Sequence, residues 1–456
     1  MNATMRKSAT IDPRPRARRT IIVGLGRTGL SCARYLSAHG ARVAITDSRT
    51  QPPELANLGD LVERVELHLG GFDSGLLADA DQIVVSPGVA LTEPFLREAV
   101  ARGIEVVGDI ELFARAVRAP VIAVTGTNGK STVTTLIAEM VAAAGLKARA
   151  GGNLGEPALN LLEGPEPDFY VLELSSFQLE TTDTLALRAA AVLNLTADHL
   201  DRYATLADYA AAKARAFAHC DVAVINLDDP HVRAMPRVGQ QVLGFTLEPG
   251  RRADFCLVRE RDDFSLACRG EALLSLRDMK LAGLHNAANA LAALALGEVA
   301  GLPMPARLDV LRKFPGLPHR MQWVAEIAGV RWINDSKGTN VGATLAAVGG
   351  MEGPLIVIAG GDGKKQDFSP LAAAFRNKVR AAVLIGRDAA ALANVLAPVC
   401  QIERATTMEA AAKVAARIAR PGDTVLLSPA CASFDMFRDY AQRGLVFVAA
   451  VRGLGA

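Results

Sequence analysis

The 456-residue chain has six cysteines, Cys32, Cys220, Cys256, Cys268, Cys400 and Cys431, but no C-x-x-C pair and no Cys/His metal spacing. That excludes a zinc ribbon or a redox dithiol and leaves small buried thiols in a reducing compartment. No apolar run reaches the ~20 residues that span a bilayer, so membrane insertion is not expected. The first nineteen residues are basic and contain proline, yet they lack the apolar stretch of a signal peptide. Residues 1–19 are therefore expected to be a disordered tail, and the protein is expected to be cytoplasmic. Charge is nearly balanced, with 50 Lys and Arg against 48 Asp and Glu and a net charge of +2. That balance gives no electrostatic reason to expect nucleic acid. There is no internal repeat of short period. Hydrophobic residues, in contrast, make up 50% of the chain, enough for large cores, and the length suggests about three domains.

Val121–Thr132 reads VIAVTGTNGKST. An apolar run ends in a glycine turn, and Lys130, Ser131 and Thr132 open an amphipathic helix. This is the layout of a nucleotide-phosphate cradle. Turn N–H groups and the helix N-terminus face phosphate oxygens, the lysine neutralises charge, and a hydroxyl can hold Mg²⁺. The strict G-x-x-x-x-G-K-[ST] spacing is not met, because position 124 is Val124 and the first glycine is Gly126. The bland alternative is a glycine turn capped by Thr127 or Asn128.

The second glycine loop, Gly24-Leu-Gly26-Arg-Thr-Gly29, follows a β-branched run, and Asp47 ends the next one. Alone, this β-α-β unit is a dinucleotide fingerprint. Its glycines admit a pyrophosphate without saying whether it belongs to NAD or to a nucleotide sugar. Further strands are expected at Gln82–Ser86, Ile104–Val107, Val121–Thr125, Phe169–Leu174, Ala190–Leu195, Val222–Asn226, Arg331–Asn334, Leu355–Ala359, Ala382–Ile385 and Thr424–Ser428. Helical patterns alternate with them, which predicts parallel sheets covered by helices. Asp109–Ala119 reads as a short helix leading into the second domain, and Gln240–Met279 as a small antiparallel elaboration.

Polar clusters gather at the ends of these strands. Glu173 closes FYVLEL, where a carboxylate beside a phosphate loop can hold Mg²⁺. Asn194, Asp198, His199, Asp201 and Tyr203 follow the next strand. Gly283–Asn289 (with H-N-x-x-N), Pro318-His319-Arg320, Asn334–Asn340, Gly360–Lys365 and Ser428–Asp435 repeat the pattern, with Asp335 and Lys337 flanking one strand end. Arg320 can stabilise charge on a transferring phosphoryl group. Together these clusters predict a substrate-lined cleft. On residues alone, Lys213 in YAAAKARAF is an ordinary solvated helix lysine.

The G-T-N-G-K-S-T loop, Glu173 with S-S-F-Q-L-E, D-H-L-D-R-Y, H-N-x-x-N, P-H-R and N-D-S-K-G-T-N together resemble the Mur ligases, ATP-dependent amino-acid ligases of peptidoglycan precursor synthesis. GLGRTGLS, GGDGKK and LSPACASFD are similar to the member that joins D-glutamate to UDP-N-acetylmuramoyl-L-alanine. The resemblance implies an α/β chain of three domains. These are a Rossmann-like UDP-sugar domain over 20–109, a P-loop-type ATPase domain over 110–316 and a Rossmann-like C-terminal domain over 317–456.

It also implies site roles. Arg27, Thr28, Asp47, Ser48, Arg49, Gly88 and Asn153 would hold the UDP-sugar. Gly126, Thr127, Asn128, Gly129, Lys130, Ser131, Thr132, Asn289, Arg320 and Asp335 would hold ATP. Ser131, Glu173, His199 and Lys213 would surround Mg²⁺, two ions in the family, with Lys213 carbamylated. Thr339, Lys364, Ser433 and Tyr440 would handle the glutamate, although Tyr440 departs from the family's phenylalanine. Lys130, His199, Lys213 and Arg320 would carry the catalysis, in a protein expected to be monomeric. An L-glutamate ligase, a nicotinamide dehydrogenase resting on Gly24–Gly29 and Asp47, and an ATP-dependent regulatory module stand as alternatives.

Overall fold

Runs of β-branched and apolar residues become the centres of three sheets. The computed structural model describes residues 18–454, apart from 154, 200, 201, 261, 262, 282 and 352. The expected tail therefore lies almost wholly outside the described residues. Its last residue, Arg19, opens a strand and pairs with Asp79 and with Glu66 (2.6 Å).

The first sheet contains β1 (Arg19–Val23), β2 (Arg42–Asp47), β3 (Glu66–Leu69), β4 (Gln82–Val85) and β5 (Glu105–Val107). All are parallel, in the order β3-β2-β1-β4-β5. The order reverses between β1 and β4, and a crevice at such a switch point is where open α/β sheets bind ligands. Ile21, Val23, Ile83, Val85 and Phe95 form part of the core beside this sheet. The loop after β1 is tightly drawn. Gly24 has φ +95°, Ser86 Oγ donates to its carbonyl at 2.8 Å, and a Cβ on Gly29 would lie 2.0 Å from Gly24 O.

Asp47 ends β2 and accepts four hydrogen bonds: Leu25 N (2.8 Å), Arg49 N (2.9 Å), Arg49 Nε (2.8 Å) and Arg49 Nη2 (2.7 Å). Burial works against ionisation. The Arg49 guanidinium and the two N–H donors outweigh it and hold the carboxyl at about 2.

The second sheet has nine strands, β6 (Val121–Thr125), β7 (Ala148–Gly152), β8 (Phe169–Glu173), β9 (Leu187–Val192), β10 (Cys220–Asn226), β11 (Gln241–Thr246), β12 (Phe255–Glu260), β13 (Asp263–Cys268) and β14 (Glu271–Ser275). Their order is β14-β13-β12-β11-β10-β9-β6-β8-β7. The region expected to be a small antiparallel elaboration extends this sheet. β11 and β12 join in parallel, and the β12–β13 and β13–β14 pairings are antiparallel, so β13 alone runs against the rest. Helices Lys130–Ala143 and Leu284–Val299 supply Val133, Ile137, Met140, Leu291 and Leu294 to one buried cluster with the strands.

The third sheet contains β15 (Gln322–Ile327), β16 (Val330–Asn334), β17 (Leu355–Gly360), β18 (Val379–Ile385), β19 (Gln401–Arg404) and β20 (Thr424–Leu427). The order is β15-β16-β20-β17-β18-β19, and only β15 runs antiparallel to its neighbour.

The chain divides into two compact units. One holds the first sheet, the helix Asp109–Ala116 and the excursion Pro157–Glu163; the other holds the second and third sheets. The helix expected to open the central domain thus belongs with the first sheet. Ile110 and Phe113 are fully buried, and Ser31 Oγ of that unit bonds Asn160 Oδ1 at 2.6 Å.

Two outcomes follow for the first unit. Gly29→Ala forces Cβ onto a backbone oxygen and should cost at least ~2 kcal/mol, read as a lowered melting transition; an unchanged transition contradicts the packing. The depressed Asp47 pKa contributes stability that is present above the ordinary 3.8 and lost as pH falls through about 2. Arg49 is 52% exposed, so solvent screening keeps this term below ~2 kcal/mol. The stability gap between the parent and Asp47→Asn in denaturant titrations should narrow across that window. A gap independent of pH contradicts the pairing.

Candidate functional site

In the second unit, the loop after β6 is shaped by two left-handed glycines. Gly126 has φ +141° and Gly129 φ +86°, and a Cβ on Gly129 would lie 2.3 Å from Asn289 Oδ1. Only glycine fits so close an approach. Asn128 N donates to Asn194 Oδ1 at 2.8 Å, and Thr127 Oγ1 accepts from Thr196 N at 3.1 Å, so the loop after β9 braces the loop after β6. Lys130 opens the following helix, and its Nζ donates to the carbonyls of Gly126 (3.0 Å) and Thr127 (2.9 Å). Burial lowers its pKa, although Glu173 opposes the shift.

Glu173 ends the neighbouring β8. Its Oε2 accepts from Ser131 Oγ at 2.6 Å and its Oε1 from Asn153 Nδ2 at 2.6 Å. Arg320 Nη2, from the loop before β15, donates to the same Ser131 Oγ at 2.5 Å. Burial would raise the Glu173 pKa, but Lys130, Ser131, Asn153 and Arg320 together hold it below the ordinary carboxylate range. Asn153 is delivered by a turn that needs glycine. Gly152 has φ +97°, and a Cβ there would meet Glu173 O at 2.5 Å.

His199 sits in a left-handed conformation, φ 55°, with its ring edge-on to Phe177 at 4.8 Å. Burial and the nearby Lys364, Lys130 and Lys213 hold its pKa at about 4 despite Asp198, so the imidazole is neutral. Asp198 faces the third sheet: Asn340 Nδ2 donates to its Oδ2 at 3.2 Å, and Lys364 Nζ lies 3.5 Å from its Oδ1.

Lys213 is 1% exposed, against the bare-sequence expectation of a solvated lysine. The helix Leu206–Ala214 points it under the phosphate loop, where Nζ donates to Gly126 O at 2.9 Å and lies 4.6 Å from the Tyr209 ring centre. Burial and Lys130 push its pKa well below the ordinary value.

The third sheet supplies Asp335 at the end of β16. Burial raises its carboxyl to about 7 against the Ser428 hydroxyl (2.8 Å) and the Met321 N–H (3.3 Å). Two residues on, Lys337 Nζ stands 3.9 Å over the Tyr440 ring. Burial, Arg320 and Lys130 lower its pKa to about 7. His199, His319, Met321, Lys364, Lys365 and Ala430 all have positive φ. Non-glycine residues held in that region mark a site whose surroundings over-determine its geometry.

Two cavities meet here. One, of about 140 Å³, is lined by Thr132, Phe245, Asn286, Asn289 and Asp335 among others. The other, of about 350 Å³, brings together Lys130, Glu173, His199 and Lys213 with Asn153 and the expected glutamate residues Thr339, Lys364, Ser433 and Tyr440. Asn128, Gly129, Arg320 and Lys337 line both. Gly126 and Ser131 lie behind this seam and act through their bonds to Lys213, Lys130 and Glu173.

Of the residues expected at the UDP-sugar, Arg27, Thr28, Asp47, Ser48, Arg49 and Gly88 belong to the first unit and Asn153 to the second. Arg27, Ser48, Arg49 and Gly88 are exposed at the C-terminal ends of β1, β2 and β4. The Asp47 carboxylate is already engaged by Arg49 and Leu25, so nothing favours its use as the ribose acid of a nicotinamide enzyme. Asp201, named in the D-H-L-D-R-Y motif, lies outside the described residues. Two contributors were given no role from sequence: Lys337, noted only as flanking a strand end, and Asn340. Their signal was the N-D-S-K-G-T-N motif itself, in which they stand beside residues that were chosen.

The donors fit a magnesium ion. Glu173 and Ser131 offer hard oxygens 2.6 Å apart, and Mg²⁺ is commonly held by one or two carboxylates completed by substrate phosphates. Among the described residues no three His, Cys, Asp or Glu side chains form a metal cluster.

Comparison with known proteins agrees over most of the chain. Residues 18–108 match the family model "Mur ligase MurD-like, N-terminal domain", 124–297 the "Mur ligase middle domain" and 319–431 the "Mur ligase, glutamate ligase domain". UDP-N-acetylmuramoylalanine–D-glutamate ligase of Nitrosococcus oceani is 54% identical over 95% of this chain and 96% of its own. The ligase of the same name from Methylococcus capsulatus is 50% identical over 96% and 95%. Among solved structures, a MurF ligase from Thermotoga maritima in complex with ADP shares the fold at TM-score 0.62 and 16% identity, over 96% of this chain and 95% of that one. The UDP-N-acetylmuramate–alanine ligase from the same organism does so at 0.61 and 18%, over 96% and 99%. The chain belongs to the Mur ligase family.

Proposed function

We propose that this protein is a cytoplasmic, ATP-dependent carbon–nitrogen ligase that adds D-glutamate to UDP-N-acetylmuramoyl-L-alanine in peptidoglycan precursor synthesis. The observation that carries the reading is the seam of Asn128, Gly129, Arg320 and Lys337 between two cavities. A nucleotide in the smaller cavity would present its terminal phosphate through that seam to an acceptor carboxylate in the larger one.

A carboxylate is a poor electrophile, and an amine cannot expel its oxygen. One carboxylate oxygen of the acceptor attacks the γ-phosphorus, the bond to ADP breaks, and an acyl phosphate forms. The deprotonated glutamate amine then attacks the acyl carbon, and phosphate leaves with the former carboxylate oxygen. Lys130 and Arg320 reduce repulsion between the two anions and follow the charge on the transferring group. Glu173 and Ser131, with His199 nearby, would hold Mg²⁺, which would supply further charge screening. Thr339, Lys364, Ser433 and Tyr440 would orient the glutamate, and Arg27, Thr28, Asp47, Ser48, Arg49, Gly88 and Asn153 the UDP-sugar. Closure around the acyl phosphate excludes water.

Lys213 would act as a carbamate. A neutral amine adds to the carbon of CO₂ and releases one proton, giving an anionic group under the phosphate loop that can support a second Mg²⁺. Its burial and lowered pKa supply the neutral amine this needs.

Phosphate release from ATP with UDP-N-acetylmuramoyl-L-alanine should depend on D-glutamate and not respond to L-glutamate. Release indifferent to the amino acid overturns the ligase reading, and equal response to both isomers overturns the stereochemical part. Lys213→Ala should lower turnover by about 100-fold or more, as loss of a preorganised charge does, with partial rescue by a short-chain carboxylate. Full activity without rescue removes Lys213 from the site.

A further inference from the structure

The side chain of Asn340 has more to do than begin a helix. It is 2% exposed, and its Oδ1 accepts from Ala343 N at 2.8 Å, capping the helix Val341–Gly349. The same amide also reaches out of the third-sheet layer. Its Nδ2 lies 3.3 Å from Asn128 Oδ1 of the phosphate loop and 3.2 Å from Asp198 Oδ2, while Asn128 Nδ2 approaches its Oδ1 at 3.4 Å. One amide thus bridges the loop after β6, the loop after β9 that carries His199, and the first turn of a third-sheet helix.

A second contact at the same place is purely steric. Gly342 packs against the loop after β9, where an added Cβ would meet Thr196 Oγ1 at 2.8 Å and Thr196 Cβ at 3.2 Å. Thr196 N in turn donates to Thr127 Oγ1. The turn Asn340–Gly342 is therefore fitted to the phosphate loop both by hydrogen bonds and by shape.

We propose that Asn340 is a positioning residue of the transfer reaction. Through Asn128 and Asp198 it couples docking of the third-sheet layer to the placement of the phosphate loop and of the loop carrying His199. This rests on the ligase reading and deepens it. Asn340 borders the larger cavity, and its role is exerted through Asn128 and Asp198. Its effect is on how often Lys130, His199 and Arg320 stand in register, and so on kcat rather than on affinity for the UDP-sugar.

The cap and the bridge can be separated. Asn340→Ser and Asn340→Asp both retain an oxygen acceptor suited to a helix N-cap and both remove the amide donor. Gly342→Ala removes no polar group and raises helix propensity, but fills the space against Thr196. All three variants should remain folded at the assay temperature. Each should show kcat for glutamate-dependent phosphate release lowered by about 10-fold or more, the scale of one lost buried hydrogen bond to a charged group, with KM for UDP-N-acetylmuramoyl-L-alanine unchanged. Parent-like kcat in Asn340→Ser overturns the proposal. A lowered melting temperature with parent-like kcat assigns Asn340 to capping alone and overturns it too. The parent measured alongside separates the two readings: if it shows no glutamate-dependent release, the ligase reading fails and this inference falls with it.

Discussion

Cationic side chains crowded around few carboxylates set the terms for the rest of this site. Lys130 feels Arg320 and Lys364, Lys213 feels Lys130, Lys337 feels Arg320, Lys130 and Lys364, and His199 feels Lys364, Lys130 and Lys213, while Glu173 and Asp198 supply most of the opposing charge. Buried like charges are costly unless they are paired or neutralised. The protein meets that cost in three ways. The backbone carbonyls of Gly126 and Thr127 accept hydrogen bonds from Lys130, and that of Gly126 also accepts one from Lys213. Glu173 is held ionised by donors on both oxygens. Burial lowers the pKa of Lys213 and Lys337, which reduces the net positive charge. A polyphosphate suits such an arrangement, and so does an anionic acceptor brought beside it.

The arrangement depends on parts that are far apart in sequence. Ser131, 189 residues from Arg320, is the meeting point of that arginine and of Glu173. The loops after β6, β8 and β9 come from one sheet, and those flanking β15, β16 and β20 from another, all at strand ends. A strand end can carry unsatisfied polar groups without disturbing a core, which is why such ends host sites in parallel sheets. The left-handed residues His199, His319 and Lys364 lie at these strand ends.

Much of this was legible in the sequence for the same physical reason. Central strands are buried on both faces and read as short apolar runs, so β1, β6, β8, β10, β17 and β20 stand out, and the polar residues that follow them stand out in turn. The strands that did not stand out were β3 (ELHL), β7 (ARAGG), β15 (QWVAEI) and β19 (QIER). Each lies at the edge of its sheet. Edge strands are half exposed, carry charge and glycine, and lose the apolar signal. Lys213 was illegible for a different reason. Nothing in an alanine-rich helix says which face is covered by a phosphate loop 87 residues away in sequence. Only the family resemblance marked it. Asp47 looked like a ribose acid because sequence cannot show that Arg49 has already engaged it. The assignment of Asp109–Ala116 to the first sheet's unit likewise rests on long-range packing that local pattern does not encode.

The central claim is that ATP activates a carboxylate rather than being hydrolysed beside it. The acceptor carboxylate can be labelled with oxygen-18 and turned over with ATP and D-glutamate, and the released phosphate analysed by mass. Transfer through the acyl phosphate predicts one labelled oxygen in each phosphate formed with an amide bond. Phosphate that carries no label, with the label retained by the acceptor or lost to water, contradicts the account.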